Sequence, residues 1–259
     1  MAKLRAAVLA AGRGIRMGGD APKALKQVGD NESLLYYILQ GLKRAQVDDL
    51  LVVTGFKPGD VQEFVSEHWG DAVFVFNARY ASWGNFHSVR MALDQSPGRD
   101  VMVINSDIVI HPDVYRRVAG APGDLVLAVE RRHRLDMEDM RVTLRGDRVR
   151  AIGKDLKQPH SHGEFDGVSL IRPAAARLYS DIATDQQWYA RTHVYYEDIY
   201  SLMLGGIDAR AVDVQPGEYA EVDVPEDMAV AAEVLRRHAG AWGEGSAEEE
   251  TAAAPADTT

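Results

Sequence analysis

The chain has 259 residues, 46 % of them hydrophobic and 26 % charged, which suits one soluble globular body with at most a small appendage. It holds no cysteine, so disulfide frameworks, thiolate zinc sites and cysteine catalysis are excluded. A formal net charge of −10 speaks against nucleic acid as a partner, and no apolar run approaches the roughly 20 residues that a membrane helix needs.

The N-terminus lacks a secretory pattern, so a cytoplasmic protein is the simplest expectation. In chain order, Arg5 to Ala10 reads as a short buried strand that ends in a glycine-rich loop. Ser33 to Ala45 has helical spacing, with Ser33 as its cap. Asp49 to Thr54 reads as a strand, Pro58 to His68 as a helix, Ala72 to Phe76 as a strand and Asn85 to Gln95 as a helix. Asp100 to Asn105 is a further apolar strand, followed by a helix from Pro112 to Ala119 and a strand from Asp124 to Glu130.

Beyond that point the pattern changes. Met140 to Gly153 alternates around Arg145-Gly146-Asp147, which predicts a hairpin. Phe165 to Ile171 and Ala209 to Val214 read as strands. Pro173 to Ser180, Asp185 to Arg191, Tyr196 to Leu204 and Pro225 to His238 read as helices. The fold class expected is α/β, with a Rossmann-like, mostly parallel sheet flanked by helices and a small antiparallel subdomain. From Gly240 to Thr259 there are five acids and no lysine or arginine, so residues 240–259 are expected to form a disordered acidic tail behind a body of 1–239.

The strongest motif is Leu9-Ala10-Ala11-Gly12-Arg13-Gly14-Ile15-Arg16-Met17, followed by Pro22-Lys23. A dinucleotide fingerprint would need a third glycine where Met17 stands, and a Walker loop would need Gly-Lys-Ser/Thr. What remains is a strand feeding a small-residue loop that lets backbone N–H groups approach phosphates, with Arg16 and Lys23 to neutralise them. The plain alternative is a glycine-rich turn with solvated basic residues.

This string resembles the signature of the nucleotidyltransferase superfamily, which includes MobA-like and sugar-1-phosphate nucleotidylyltransferases and the small cytidylyltransferases. The resemblance implies the nucleotide-diphospho-sugar transferase type of fold, with 1–239 as the catalytic domain and the antiparallel part binding the acceptor. It also implies that Leu9, Ala10, Ala11, Gly12, Arg13 and Gly14 wrap the nucleoside triphosphate. Ser106-Asp107 stands at the end of an apolar strand, and Glu221-Val222-Asp223 resembles the family's late acidic motif. By resemblance Asp107 and Asp223 hold Mg²⁺, a hard cation that takes oxygen ligands. Alternation puts Glu221 on the same side as Asp223, to share the metal or to hydrogen-bond nearby.

The run from Asn77 to Ser88 resembles the corresponding stretch of bacterial phosphocholine cytidylyltransferases and of those acting on phosphonates and inositol phosphate. It offers Asn85 and Ser88, with Ser106, to the nucleotide, or else a plain capped helix. Lys154 resembles the lysine placed near the α-phosphate; the alternative is a solvated surface charge. Tyr196, Glu197 and Asp198 resemble an acceptor-lining stretch, or else they form a helix start favoured by the dipole. Arg131, Arg132 and Arg134 depart from the phosphocholine pattern. They suit an acceptor with extra negative charge, such as a carboxylate-bearing phosphonate, and equally a solvated turn or subunit contact.

The expected activity is Mg²⁺-dependent transfer of CMP from CTP to a small phosphonate or phosphate monoester, with Arg16, Lys23 and Lys154 as catalytic cations. The alternatives are a sugar-1-phosphate nucleotidylyltransferase using UTP or dTTP, a nucleotide-sensing regulatory subunit on the same fold, and, more distantly, a molybdopterin-type transferase. Neither nucleic acid nor a membrane is expected as a partner, and exposed aromatic positions leave room for a homodimer.

Overall fold

The computed structural model describes residues 3–28, 32–185 and 193–243. Its frame is a nine-stranded sheet. Strand β1 (Leu4–Ala10) lies parallel to β2 (Leu50–Thr54) on one side and to β4 (Asp100–Asn105) on the other, and β2 pairs in parallel with β3 (Val73–Phe76). Beyond β4 the order continues through β9 (Gly163–Ile171), β6 (Leu125–Glu130), β10 (Ala209–Val214), β8 (Arg148–Gly153) and β7 (Arg141–Arg145). β6 and β10 are parallel to each other, whereas β9 runs antiparallel to both β4 and β6. The antiparallel part is thus not set apart as a second sheet. β9 is inserted at the centre of the frame, and the β7–β8 hairpin continues its far edge.

The strands are buried on both sides because alternate residues feed two cores. On β1, Ala7 and Leu9 face a core with α3 (Phe86–Asp94), α5 (Pro173–Thr184) and α6 (Tyr196–Met203). Ala6, Val8 and Ala10 face the other core, with α1 (Leu34–Arg44), α2 (Pro58–His68) and α4 (Pro112–Gly120). Ser33 caps α1, its hydroxyl accepting from the Tyr36 backbone N–H at 3.3 Å.

A second, two-stranded sheet pairs β5 (Ile108–Ile110) with β11 (Tyr219–Glu221) in antiparallel register. Helix α7 (Met228–Arg237) packs over it in a third apolar cluster that also takes in Met17, Val28 and Leu34. Trp242 belongs to this cluster. It is only 7 % exposed and its ring meets Tyr37 and His111 edge-on. The boundary expected at Gly240 is therefore corrected: the packed body extends at least through Trp242, because its ring area is buried there. Residues 244–259, and the helix expected from Asp185 to Arg191 apart from Asp185 itself, lie outside the described residues. No described helix is long and apolar enough to cross a membrane.

Candidate active site

Parallel register places Leu9 opposite Asn105, so the loops leaving β1 and β4 emerge side by side at the carboxyl edge of the sheet. The loop after β1 turns through Gly14, whose φ of 63° is left-handed, into a short 3-10 turn at Ile15–Met17. Met17 is buried in the third core and ties the loop down. Pro22 then opens a second 3-10 turn, Lys23–Leu25. A Cβ at Gly14 would stand 2.9 Å from Cβ of Lys23, so the glycine is what lets loop and lysine lie against each other.

The short β5–β11 sheet completes the site. It puts Glu221 opposite Ile108, and the Val222 N–H donates to the Asp107 carbonyl at 2.8 Å. Val222 is buried, and its neighbours Glu221 and Asp223 project to the side where Asp107 stands. One carboxylate oxygen each of Asp107, Glu221 and Asp223 lie within 4.8 Å of one another. The Lys23 ammonium donates to Oδ2 of Asp107 at 2.8 Å and also to Oδ1 of Asp223. Arg16 Nη1 is 3.3 Å from Oδ2 of Asp223.

Burial works against the Lys23 charge, but Asp107 and Asp223 hold its ammonium above the usual lysine range. Burial likewise opposes the Asp223 charge, and hydrogen bonding to Lys23 with the Arg16 field holds its carboxyl below the usual range. Glu221 is pushed up by desolvation and by its two acidic neighbours. Three hard oxygen donors fit a divalent cation of the Mg²⁺ kind, and Oδ1 of Asp107 is buried with no hydrogen-bond partner among the described residues.

Two adjoining cavities meet here. The smaller, about 190 Å³, is lined by Leu9, Ala11, Gly12, Asn77, Trp83 and Ser88, among others. The larger, about 620 Å³, is lined by Arg13, Gly14, Arg16, Lys154, Glu164 and Glu197, among others. Lys23, Tyr80, Asn85, Asn105 and Asp107 border both. Ser106 borders the smaller one while its hydroxyl donates to the Leu9 carbonyl at 2.8 Å. The Ser88 hydroxyl accepts from Asn77 Nδ2 at 2.9 Å, and Asn85 Oδ1 accepts from the Tyr196 N–H at 2.9 Å. Ala10 borders neither cavity. It is packed in the core, which corrects its expected place in the nucleotide loop.

The residues expected to line the acceptor pocket divide. Glu197 lines the large cavity, 5 % exposed, with Oε2 unpartnered among the described residues, and burial pushes its carboxyl up to about 8. Tyr196 is fully buried and does not border the cavity; its hydroxyl donates to Oδ1 of Asn105 at 2.9 Å and its backbone N–H holds Asn85. Asp198 is a cap: Oδ2 accepts from the Tyr195 N–H at 2.8 Å, and the residue does not border the cavity.

The two arginines are corrected as well, since neither borders the cavity. Arg131 Nε is 2.7 Å from Asp213, and Arg132 bridges Glu130 at 2.5 Å and Glu164 at 2.7 Å. The reason is the register: Glu130 and Glu164 are cross-strand partners between β6 and β9, and Arg132 compensates that pair of like charges. Lys154 does border the cavity, 3.3 Å from Glu138 Oε2 and 5.4 Å over the Tyr195 ring.

Asn105, Tyr80, Glu138, Asp139 and Glu164 line the cavity without having been singled out from sequence. Asn105 directly precedes Ser106-Asp107 and could have been found as the last residue of its strand; the acids carry no local signal.

Three of the proteins similar to this chain are the following. CMP-5'-(3-aminopropyl)phosphonate synthase of Streptomyces rubellomurinus is 28% identical over 245 residues, 87% of this chain; the chain spans 38% of that relative's length. The inositol-1-phosphate CTP transferase from T. maritima superposes with a TM-score of 0.76 at 21% identity, covering 91% of this chain and 97% of that one. The CTP:phosphocholine cytidylyltransferase from Streptococcus pneumoniae gives 0.75 at 23% identity, covering 90% and 99%. The family described as the MobA-like NTP transferase domain matches residues 6–159, more than half of the chain. With the loop, the acidic pair and the fold all in place, the chain belongs to the MobA-like NTP transferase domain family.

Proposed function

We propose that the protein is a cytidylyltransferase that moves CMP from CTP to a small phosphonate or phosphate monoester bearing a cationic amine, with release of pyrophosphate. The observation that carries this reading is the convergence of Lys23, Arg16, Asp107 and Asp223 at the wall of the larger cavity, with Lys23 and Asp107 bordering the smaller one as well. The smaller cavity, next to the β1 loop, takes the nucleoside, and the larger one takes the acceptor. The relative that makes CMP-5'-(3-aminopropyl)phosphonate supports both the nucleotide and the acceptor class.

The chemistry follows from placement. An acceptor oxygen, already anionic, attacks the α-phosphorus in line, so no strong general base is needed. Backbone N–H groups of residues 11–14 hold the triphosphate, while Arg16 and Lys23 balance charge on the departing pyrophosphate. Asp107 and Asp223, with Glu221 close by, would hold Mg²⁺, which supplies Lewis-acid polarisation of the phosphoryl oxygens. Lys154 steadies the acceptor's phosphoryl charge from the other side. Glu197, Glu138, Asp139 and Glu164 also line the large cavity and favour a cation where they are ionised, so an amine is proposed in place of the carboxylate that was one reading of the arginine run.

The test is pyrophosphate release with Mg²⁺ and each of CTP, UTP and dTTP. The acceptor panel is 3-aminopropylphosphonate, 2-aminoethylphosphonate, phosphocholine, phosphonoformate, inositol phosphate and glucose 1-phosphate. Turnover is expected with CTP and an aminoalkylphosphonate, and it is lost in Asp107→Ala and Lys23→Ala. Faster turnover with UTP or dTTP and glucose 1-phosphate would overturn the reading.

A further inference from the structure

Lys23 does more in this arrangement than point at a phosphate. Its ammonium bonds Oδ2 of Asp107 at 2.8 Å and Oδ1 of Asp223, and so fills the gap between the two carboxylates. Arg16 engages the other oxygen of Asp223 at 3.3 Å. Every oxygen of the pair except Oδ1 of Asp107 therefore already faces a cationic side chain. A dication held by both acids has Oδ1 of Asp107 open to it, but at Asp223 it needs an oxygen that already faces Lys23 or Arg16, and two cations do not share one narrow gap.

We propose that Lys23 competes with the divalent cation for Asp107 and Asp223, and that the triphosphate resolves the competition by drawing the Lys23 ammonium away, so that cation and nucleotide bind cooperatively through this one side chain. The inference rests on Asp107 and Asp223 being the cation ligands of the proposed function.

The local geometry suits such an exchange. Lysine is a point charge on a flexible four-carbon stem with three rotatable donors, unlike the rigid fork of arginine. The stem leaves the 3-10 turn Lys23–Leu25 directly beside the glycine-rich loop, with no side chain at Gly14 in between. Rotation about the side-chain bonds carries the ammonium from the carboxylates to a phosphate held by that loop. The carboxylates so released gain the dication, and the ammonium so released gains the phosphate, so each ligand strengthens the other by the same factor. Before that exchange the ammonium keeps two close carboxylates from repelling each other.

The experiment measures Mn²⁺ binding to the full chain by electron paramagnetic resonance of the free ion, without and with α,β-methylene-CTP. Mn²⁺ held by the nucleotide itself is subtracted using Asp107→Asn. The wild type is expected to bind Mn²⁺ weakly alone and more tightly with the nucleotide. Lys23→Met and Lys23→Gln, checked as folded by thermal melting, are expected to bind Mn²⁺ about tenfold more tightly without nucleotide and to lose most of the nucleotide effect. Equal Mn²⁺ affinity in wild type and both variants, lost in Asp107→Asn, overturns the role of Lys23 and leaves the cation site standing. A wild-type affinity that nucleotide does not change also overturns it. No Mn²⁺ held beyond the Asp107→Asn level in the wild type or either Lys23 variant, with or without nucleotide, removes the cation site and this inference together.

Discussion

Glu197 is 5 % exposed at the wall of the large cavity, and one of its oxygens has no partner among the described residues. A buried carboxyl of that kind is costly when charged and alone, and it gains most from a cation that arrives with a substrate. Burial holds it up to about 8, with Lys154 pulling the other way. Below that pH it is neutral and attracts an ammonium weakly; above it the charge is present. The KM for an aminoalkylphosphonate is therefore expected to fall as pH rises from 7 to 9. Glu197→Gln should raise that KM about tenfold, in line with loss of about 1.5 kcal/mol for a hydrogen bond to a charged group, and should flatten the profile. An unchanged profile in the glutamine variant would assign the titration to another group. Arg16, Lys23, Asp107 and Asp223, which the structure brings together, could be singled out from sequence because each sits in a short motif at a strand end. Arg131 and Arg132 misled because their partners lie far away in sequence: Asp213 on β10, and Glu164, which the β6–β9 register sets beside Glu130.

At the scale of elements, the glycine-rich loop shows how backbone conformation places a charge. Gly14 has φ 63° and its missing Cβ would meet Lys23 Cβ at 2.9 Å, whereas a Cβ at Gly12 meets nothing within 4 Å. Gly14→Ala should cost about 1–2 kcal/mol of stability for the left-handed residue, and should lower kcat/KM further by pushing the Lys23 stem away from the glycine-rich loop. Gly12→Ala should leave the melting temperature unchanged and weaken nucleotide binding alone, since the added methyl stands only where a phosphate is proposed to lie. Equal effects of the two substitutions on stability would refute this account. The alternation of apolar strands with amphipathic helices was readable along the chain. The β5–β11 pair was not, because three-residue strands carry too little periodicity. Nor was the reversed direction of β9, since a buried apolar run reads the same either way. Yet β5 and β11 are what bring Asp223 to Asp107.

The molecule as a whole carries acids in places that set its pH response. Asp166 lies on β9 at the centre of the sheet, 0 % exposed, and neither of its carboxylate oxygens has a hydrogen-bond partner among the described residues. Burial, with Glu164 and Glu130 nearby, holds its carboxyl well above the usual range; Arg132 opposes this. Burial raises Glu164 to about 7 and Glu197 to about 8. Each of these groups binds its proton more tightly folded than unfolded, so the stability it contributes is full below the unfolded value near 4 and is lost as pH rises through the folded one. His87 and His111 are held below their ordinary value, burial being the main cause, so they are neutral in both states above about pH 7 and do not enter there. Between pH 7 and pH 9 the melting temperature should therefore fall. Asp166→Asn keeps the shape and removes the titration. Its melting temperature should fall less than the wild type's over that interval and stand higher at pH 9. A variant that differs from the wild type by the same amount at pH 7 and pH 9 would show that Asp166 is ionised in the folded protein throughout that interval, and the slope would then belong to Glu164, Glu197 and Glu221, which Glu164→Gln, Glu197→Gln and Glu221→Gln would each reduce.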